Sequence, residues 1–196
     1  MTWLVAGLGN PGAAYADTRH NVGWMCADEL AHRSKVFWKK PLLARAQVAE
    51  VRLRDFGVAG ESAAEKLILV KPLTYMNDSG IAVRKLASFA KVPPDHVIVV
   101  HDELDLIFGT LRLKFGGGDN GHNGLKSVRA HLGTGDYYRV RIGIGRPAGS
   151  QDPIDYVLGK FPKKDATELA LTIGDAADAV LALLTDGLAN AQNRFN

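Results

Sequence analysis

The hydrophobic positions of the chain fall into short apolar or alternating runs, separated by stretches with helical spacing. A short apolar run or a strict apolar–polar alternation is typical of a β-strand, whereas apolar residues three and four positions apart are typical of an amphipathic helix. Strands are expected at residues 2–8, 46–53, 66–70, 97–100, 111–115 and 138–144. Helices are expected from 21 to 33, from 78 or 79 to about 91, from 125 to 132, and beyond Pro162 to Gly187, with one more short helix to Arg194.

The order of these elements predicts the fold. Because strands and helices alternate, we expect a single α/β domain over residues 1–196, with a twisted mixed β-sheet flanked by helices. The β-branched run 97–100 is expected to be a central strand, and residues 111–115 an edge or lid strand. The runs 46–53 and 66–70 are expected to form a hairpin with a loose connection. Asn21 is expected to cap the first helix.

Length and composition limit the class of protein. With 196 residues, of which 46% are hydrophobic, the chain can build a substantial core without disulfides or metals. The single cysteine, Cys26, has no partner for a disulfide, which favours a reducing compartment. No stretch approaches the roughly 20 apolar residues that cross a bilayer, and no basic segment precedes an apolar run at the start. We therefore expect a cytoplasmic protein that does not contact membranes.

The distribution of charge is more informative than its sum. The net charge is only +3, but residues 110–146 carry seven lysines and arginines against two aspartates, an excess of five positive charges. Such a segment can anchor phosphates, although a solvated surface with this charge by chance would look the same.

Three segments set an asparagine or a histidine in glycine-rich or turn-forming sequence: GLGNPG at 7–12, TRHN at 18–21 and GHNG at 121–124. Glycine allows sharp turns and the close approach of a ligand, so a polar side chain among glycines is a candidate contact. Asn10 is therefore expected either to enter a crevice at the end of the first strand or to bond only within its own turn.

The GLGNPG segment also matches the GxGxxG pattern of dinucleotide-binding proteins. That pattern requires the last glycine to open a helix whose N-terminus faces the pyrophosphate. Here Pro11 removes a backbone N–H from the loop, and the first helix is expected to begin only near Asn21. A nicotinamide-dependent enzyme is therefore disfavoured, and no cofactor is expected.

Histidine and carboxylate residues meet at the predicted ends of elements. His20, His101 and His122 each stand beside an asparagine or aspartate, and a histidine can take a proton from water near neutral pH. A base works best when a carboxylate fixes its tautomer, and Asp102 follows the apolar run 97–100 after only His101. The same HDELD segment is open to two other interpretations, an acidic surface loop or a carboxylate metal site. No metal is expected, because the chain has no HExxH motif, helically spaced histidine pair or cysteine cluster.

Six segments together carry a resemblance that each alone would not: GLGNPG with Tyr15, TRHN, KPLTYMNDSG, VVHDELDL, GGGDNGHNG and RVRIGIGRP. In this order, from residue 4 to about 147, they resemble the bacterial peptidyl-tRNA hydrolase family, with a looser match in VLGKF and the C-terminal helices. The resemblance implies an esterase that cleaves a peptide from the 3′ ribose of its tRNA, without a cofactor.

The resemblance also implies roles for individual residues. His20 would be the general base for water and Asp102 would orient it. The substrate would be bound around the ester by three asparagines, Asn10, Asn77 and Asn123. The crevice would also be lined by Tyr15 and Met76. The tRNA 5′ phosphate would be clamped by Lys114 and Arg141, with Arg112 in support.

The chain departs from the family's commonest glycine-rich loop at Asp119 and Asn120, which puts the flexibility of this loop in question. The expected partner is peptidyl-tRNA, with no obligate protein partner and a monomeric state. A family member that kept only RNA or partner binding is the alternative, and intact His20, Asp102, Asn10 and Asn123 argue against it.

Overall fold

The computed structural model describes residues 1–60 and 65–196. The strands are β1 (Thr2–Gly7), β2 (Ala46–Arg52), β3 (Lys66–Pro72), β4 (Val97–Glu103), β5 (Leu111–Phe115) and β6 (Tyr138–Gly143). They form one six-stranded sheet in the order β2-β3-β1-β4-β6-β5. The inner strands β3, β1, β4 and β6 are parallel, and β2 and β5 pair antiparallel at the two edges.

The helices cover both faces of this sheet. They are α1 (Val22–Arg33), α2 (Ser79–Phe89), α3 (Asn123–Leu132), α4 (Pro153–Val157) and α5 (Ala166–Phe195). Helices α1 and α5 pack with Val5 and Ile98 in one core, whereas α2 and α3 pack with Leu4 and Val99 in the other. Adjacent residues of a strand point to opposite faces, which is why β1 and β4 contribute to both cores. The mixed α/β sheet flanked by helices is the fold class that the sequence predicts.

Most predicted elements are confirmed, and the differences have local causes. The hairpin forms, but its connection includes residues 61–64, which lie outside the described residues. Strand β4 continues through Glu103, since pairing with β6 carries the polar residues His101 and Asp102 into the sheet. Helix α4 was not predicted; Asp152 caps it by accepting a hydrogen bond from the backbone N of Ile154 at 2.7 Å. Helix α5 breaks at Gly187 as predicted, with φ 78° and ψ 170°.

The predicted capping role of Asn21 is wrong. Asn21 precedes α1, but its side chain makes no hydrogen bond to the helix N-terminus. It bonds instead to the backbone of Asn10, because the turn that contains Asn10 passes directly over it. The glycines of GLGNPG open no helix either: a 3₁₀ turn (Arg19–Asn21) and then α1 follow 7 residues or more after Gly12. The prediction that the first helix begins near Asn21, well after these glycines, is thus confirmed.

Among the described residues, no helix is both long and apolar enough to cross a membrane.

The start of α1 lies against the ends of β1 and β4 at a distance that only glycine permits. A Cβ on Gly23 would lie 2.3 Å from the carbonyl oxygen of Val100 and 2.6 Å from the backbone N of Leu8. A Cβ on Gly7 would lie 2.2 Å from the carbonyl oxygen of Gly23. This contact fixes the turn before α1 above the carboxyl ends of the two strands.

We expect Gly23→Ala to destabilise the fold by about 1–3 kcal/mol, the usual cost of forcing a methyl group into a packed contact. Gly174→Ala, inside α5, is the matched control, since its Cβ would meet only Arg33 Nη2 at 3.5 Å. There alanine should be neutral or stabilising, because it is the better helix former. Chemical denaturation of both variants checks this, and equal stability of the two would contradict the proposed role of the Gly23 contact.

Candidate active site

A cleft of about 610 Å³ opens at the carboxyl ends of β1 and β4. The chain places β3 on one side of β1 and later β4 on the other, and crevices at such a switch point are where open α/β sheets bind ligands. Residues from several elements line the cleft, among them Asn10, His20, Tyr75, Met76, Asn77, Asp102, His122, Asn123, Val157 and Leu158. The structure thus brings six of the seven predicted catalytic and substrate positions, all but Tyr15, to one cleft around a histidine–aspartate contact.

His20 and Asp102 form that contact. The Nδ1 atom of His20 lies 2.9 Å from both carboxylate oxygens of Asp102, which is only 3% exposed. A carboxylate accepts, so Nδ1 carries the proton and Nε2 keeps its lone pair. The 12% exposed side chain of His20 lines the cleft, and Nε2 is therefore the atom available as a base.

The turn that carries His20 is held from outside the cleft. The backbone N of Arg19 donates to the carbonyl oxygen of Gly159 at 3.0 Å, and its guanidinium donates to the carbonyl oxygen of Tyr156 at 3.2 Å. The same guanidinium stacks 4.1 Å from the centre of the Tyr156 ring. The turn before α1 and the segment after α4 are therefore fixed to each other.

His122 is a second histidine on the same carboxylate, and neither its sequence context nor the family resemblance assigned it a role. Its Nε2 lies 2.8 Å from Asp102 Oδ1, and its Nδ1 accepts from the backbone N of Gly124 and Leu125 at 3.1 and 3.3 Å. Those backbone bonds require an unprotonated Nδ1, so Nε2 is the donor to Asp102. The GHNG segment marked His122 as a candidate, but only the fold shows which carboxylate it meets.

These contacts determine the charge of Asp102. Burial alone would raise the pKa of its carboxyl group, but electrostatic attraction to His20 and His122 and the hydrogen bonds that they donate outweigh burial and hold the pKa below its usual range. Asp102 is therefore ionised at neutral pH, as a group that orients a histidine must be.

His101, the third candidate, is buried beneath the site. Its Nδ1 donates to the carbonyl oxygen of Asp102 at 2.7 Å, and its ring lies 5.0 Å from that of His122. Burial and, next, the neighbouring His122 lower the pKa of His101 from 6.5 to about 3. His101 is thus neutral at physiological pH and supports the end of β4.

Asn10 is fixed by two other segments. Its Oδ1 accepts from the backbone N of Met76 at 2.7 Å, and its backbone N and O bond to the side chain of Asn21 at 2.9 and 3.0 Å. Asn10 therefore does not bond only within its own turn, which was the alternative that the sequence left open. With Oδ1 engaged, Nδ2 is the atom of Asn10 left to meet a ligand in the cleft.

The remaining predicted cleft residues differ in their positions. Met76 is 4% exposed and forms part of the floor, while Asn77 and Asn123 are exposed at its edge. Tyr15, predicted to line the crevice, is not among the lining residues: it packs edge-on against Tyr75, with 6.4 Å between ring centres, and Tyr75 lines the cleft.

A second cavity, of about 370 Å³, adjoins the cleft and is mainly basic. Three cations line it, Lys114, Arg139 and Arg141, together with two carboxylates, Glu103 and Asp105. Arg141 donates to Glu103 Oε2 through Nε and Nη2 at 3.1 and 3.0 Å. Burial, and next the charges of Arg139 and Arg141, lower the pKa of Lys114. Two of the three predicted phosphate contacts therefore face one cavity.

The residues that line this basic site differ from the prediction in two respects, at Arg112 and at Arg139. Arg112 lies opposite Arg141 in the β5–β6 pair but contacts the carbonyl oxygen of Asn196. Arg139 is 1% exposed and donates to the carbonyl oxygens of Gly117 and Gly118, in the glycine-rich loop. The alternation of Arg139 and Arg141 along β6 was the signal that both share a face.

The geometry also bears on two other kinds of chemistry, metal binding and nucleophilic attack by a thiol. Within the described part of the chain, His20, Asp102 and His122 are the one group whose potential metal-ligand atoms all lie within 4.8 Å of one another. Two of those atoms, His20 Nδ1 and His122 Nε2, donate hydrogen bonds to Asp102, so a metal ion could bind there only by displacing both protons. Cys26 is buried, and burial raises the pKa of its thiol to about 12, which makes it a poor nucleophile.

The fold and the cleft define a class of α/β proteins in which a histidine–aspartate pair lies at the switch point of a mixed sheet. Comparison with known proteins narrows the class. A family model described as Peptidyl-tRNA hydrolase matches residues 4–196. This chain therefore belongs to the peptidyl-tRNA hydrolase family.

Individual relatives agree with that assignment. The peptidyl-tRNA hydrolase of Cutibacterium acnes is 54% identical over 196 residues, covering 100% of this chain and 98% of the relative. That of Frankia alni is 53% identical over 194 residues, covering 99% of this chain and 93% of the relative. The crystal structure of peptidyl-tRNA hydrolase from Acinetobacter baumannii matches with a TM-score of 0.86 at 34% identity, covering 98% of this chain and 93% of that one.

The lowered pKa of His101 predicts a pH dependence of stability. The unfolded chain takes up a proton on His101 near pH 6.5, whereas the folded chain takes it up only near pH 3, so stability should fall as the pH drops from about 6.5 toward 3. In His101→Gln, which cannot titrate, the melting temperature should depend less steeply on pH between about 6.5 and 4. Replacement of the exposed His32 by Gln is the control, and an unchanged slope in His101→Gln would contradict the prediction.

Proposed function

We propose that this protein hydrolyses the ester between a peptide, or an N-blocked amino acid, and the 3′ ribose of tRNA, with His20 as the general base for water. The observation that carries the proposal is the His20–Asp102 contact at 2.9 Å, in a cleft also lined by Asn10, Asn77 and Asn123. Membership of the peptidyl-tRNA hydrolase family supports the choice of substrate.

The proton path follows from the tautomers. Nε2 of His20 accepts a proton from water as the water oxygen attacks the ester carbonyl, and Asp102 stabilises the imidazolium that results. When the tetrahedral intermediate collapses, the bond from the carbonyl carbon to the ribose oxygen breaks. His20 returns the proton to that oxygen, so the products are a free carboxyl group and a 3′-hydroxyl tRNA.

The asparagine side chains are proposed to bind the carbonyl groups of the substrate. An amide N–H stabilises a developing oxyanion, or holds a peptide carbonyl, without a change in its own charge. Asn10 is suited to this because its Oδ1 is fixed by the backbone N of Met76, which orients Nδ2 in advance. Asn77 and Asn123, at the edge of the cleft, are assigned with Asn10 to the binding of the substrate around the ester.

The basic cavity is assigned to the tRNA. Lys114 and Arg141 would bind the 5′ phosphate and the nearby backbone, which lie close to the 3′ end at the top of the acceptor stem. Arg112, opposite Arg141 in the sheet, adds to the positive potential there. The proposal includes a monomer that acts in the cytoplasm without a cofactor or an obligate protein partner.

We expect His20→Ala to lower the turnover of N-acetyl-aminoacyl-tRNA by roughly 10²- to 10⁴-fold, the loss typical of a missing general base. Circular dichroism should show an intact fold. Asp102→Asn should lower the turnover less than His20→Ala does, because asparagine keeps a hydrogen-bond acceptor for His20 while disturbing its tautomer. His32→Ala, at an exposed position of α1, is the control, and retained activity in His20→Ala would refute the assignment.

Activity should not require a metal ion. After treatment with a chelator, hydrolysis of a small N-blocked ester of adenosine in metal-free buffer should be unchanged, because the proposed mechanism uses His20 Nδ1 and His122 Nε2 as hydrogen-bond donors to Asp102 and not as metal ligands. The small substrate is necessary since magnesium also folds tRNA. Loss of activity that zinc restores would identify the cluster as a metal site.

Lys114→Met should raise the KM for full-length peptidyl-tRNA and reduce its salt dependence by about one counterion. The penalty for a minimal substrate without the 5′ end should be much smaller. Lys114 is a cleaner test than Arg141, because removing Arg141 also leaves Glu103, only 6% exposed, without its partner. Lys126→Met, which removes an exposed cation on α3, is the control; equal penalties on both substrates would argue against phosphate binding.

A further inference from the structure

Asn120 makes contacts that the proposed reaction does not use. It lies in the glycine-rich loop between β5 and α3, with a φ of 50° in the left-handed region. Its side-chain nitrogen Nδ2 lies 3.0 Å from Glu103 Oε1 and 2.8 Å from Asp105 Oδ2. An amide N–H₂ has two protons, so Asn120 donates one hydrogen bond to each carboxylate.

Each of these carboxylates also holds an arginine. Glu103 accepts from Arg141 through Oε2, and Asp105 accepts from Arg146 Nε through Oδ1 at 2.7 Å. The backbone N of Asp105 donates to Glu103 Oε1 at 3.1 Å. Asn120 is therefore the neutral link between two ion pairs, and it leaves both oxygens of Glu103 fully engaged.

The position of this link relates it to the tRNA side of the site. Three residues line both the cleft that contains His20 and the basic cavity: Glu103, Asp105 and Asn120. They form the wall between the two. Because Glu103 is nearly buried, the direction of its carboxylate fixes the direction in which the guanidinium of Arg141 faces the basic cavity.

The glycine-rich loop is thus tied to the sheet at two points. Arg139 holds its first half through the carbonyl oxygens of Gly117 and Gly118, and Asn120 holds its second half. Glycine at position 120 would adopt the same φ without strain but could not make the second tie.

We infer that Asn120 is a positioning residue: it holds the Glu103 carboxylate, and through it the guanidinium of Arg141, in the geometry that binds the 5′ phosphate of the tRNA. This inference rests on the proposed phosphate-binding role of the basic cavity. It gives the departure of the chain at position 120 a specific effect, which is a pre-ordered loop.

The test compares two substrates that differ only at the 5′ end: an N-acetyl-aminoacyl-tRNA with its 5′ phosphate, and the same tRNA after phosphatase treatment. Wild-type protein should have the lower KM for the phosphorylated form. In Asn120→Gly, the KM for the phosphorylated form should rise by roughly three- to tenfold more than the KM for the dephosphorylated form, the range expected for one lost net hydrogen bond. Asn120→Asp, which adds a carboxylate next to Glu103 and Asp105, should reduce this discrimination further.

Asp119→Asn is the matched control in the same loop. Asp119 accepts from the backbone N of Gly121 at 3.0 Å and leaves the Glu103–Arg141 pair alone, so discrimination should be kept. If Asn120→Gly discriminates as well as wild type, or changes both KM values equally, the inference about Asn120 is overturned while the clamp stands. If wild-type protein itself does not distinguish the two substrates, the phosphate clamp fails and the inference fails with it.

Discussion

The carboxylate of Asp102 is the group on which the site depends. It lies at the buried end of a central strand and accepts hydrogen bonds from two histidines that reach it from different segments. An ionised carboxylate in such a place is costly unless it is fully hydrogen-bonded, so His20 and His122 stabilise it as much as it orients them. Each histidine has one nitrogen committed to Asp102. The second ring nitrogen of His122, Nδ1, accepts hydrogen bonds from the start of α3, whereas the second ring nitrogen of His20, Nε2, remains available in the cleft.

The sheet supplies the geometry that this carboxylate needs. Residues at the carboxyl ends of β1 and β4 meet because the two strands are neighbours, and the glycine contact at Gly23 brings the turn with His20 close above them. The hydrogen bonds among Asn10, Asn21 and the backbone of Met76 tie that turn to the start of α2. His20, Asn10 and Asp102 therefore share one rigid support, which would limit the loss of geometry on ligand binding.

The sequence was sufficient for the elements whose pattern is local. The apolar runs identified the strands, and Gly187 identified the break in the last helix, because these signals depend on neighbouring residues only. Contacts between distant segments were not accessible in this way. The partner of Asn21 lies 11 residues before it, and the carboxylate that His122 meets lies 20 residues before it. Likewise, the excess of positive charge over residues 110–146 predicted an anchor for phosphates, but not that Arg112 would contact Asn196 while Arg139 is buried in the cavity.

The most direct test of this account is the location of the imidazole protons, which long-range ¹H–¹⁵N NMR of the free protein can measure at about pH 8, with signals assigned through single histidine variants. The account predicts that His20 is protonated at Nδ1 with a bare Nε2, and that His122 is protonated at Nε2 with a bare Nδ1. A proton on Nε2 of His20 and a bare Nδ1 would mean that Asp102 does not orient the histidine, and would contradict the account.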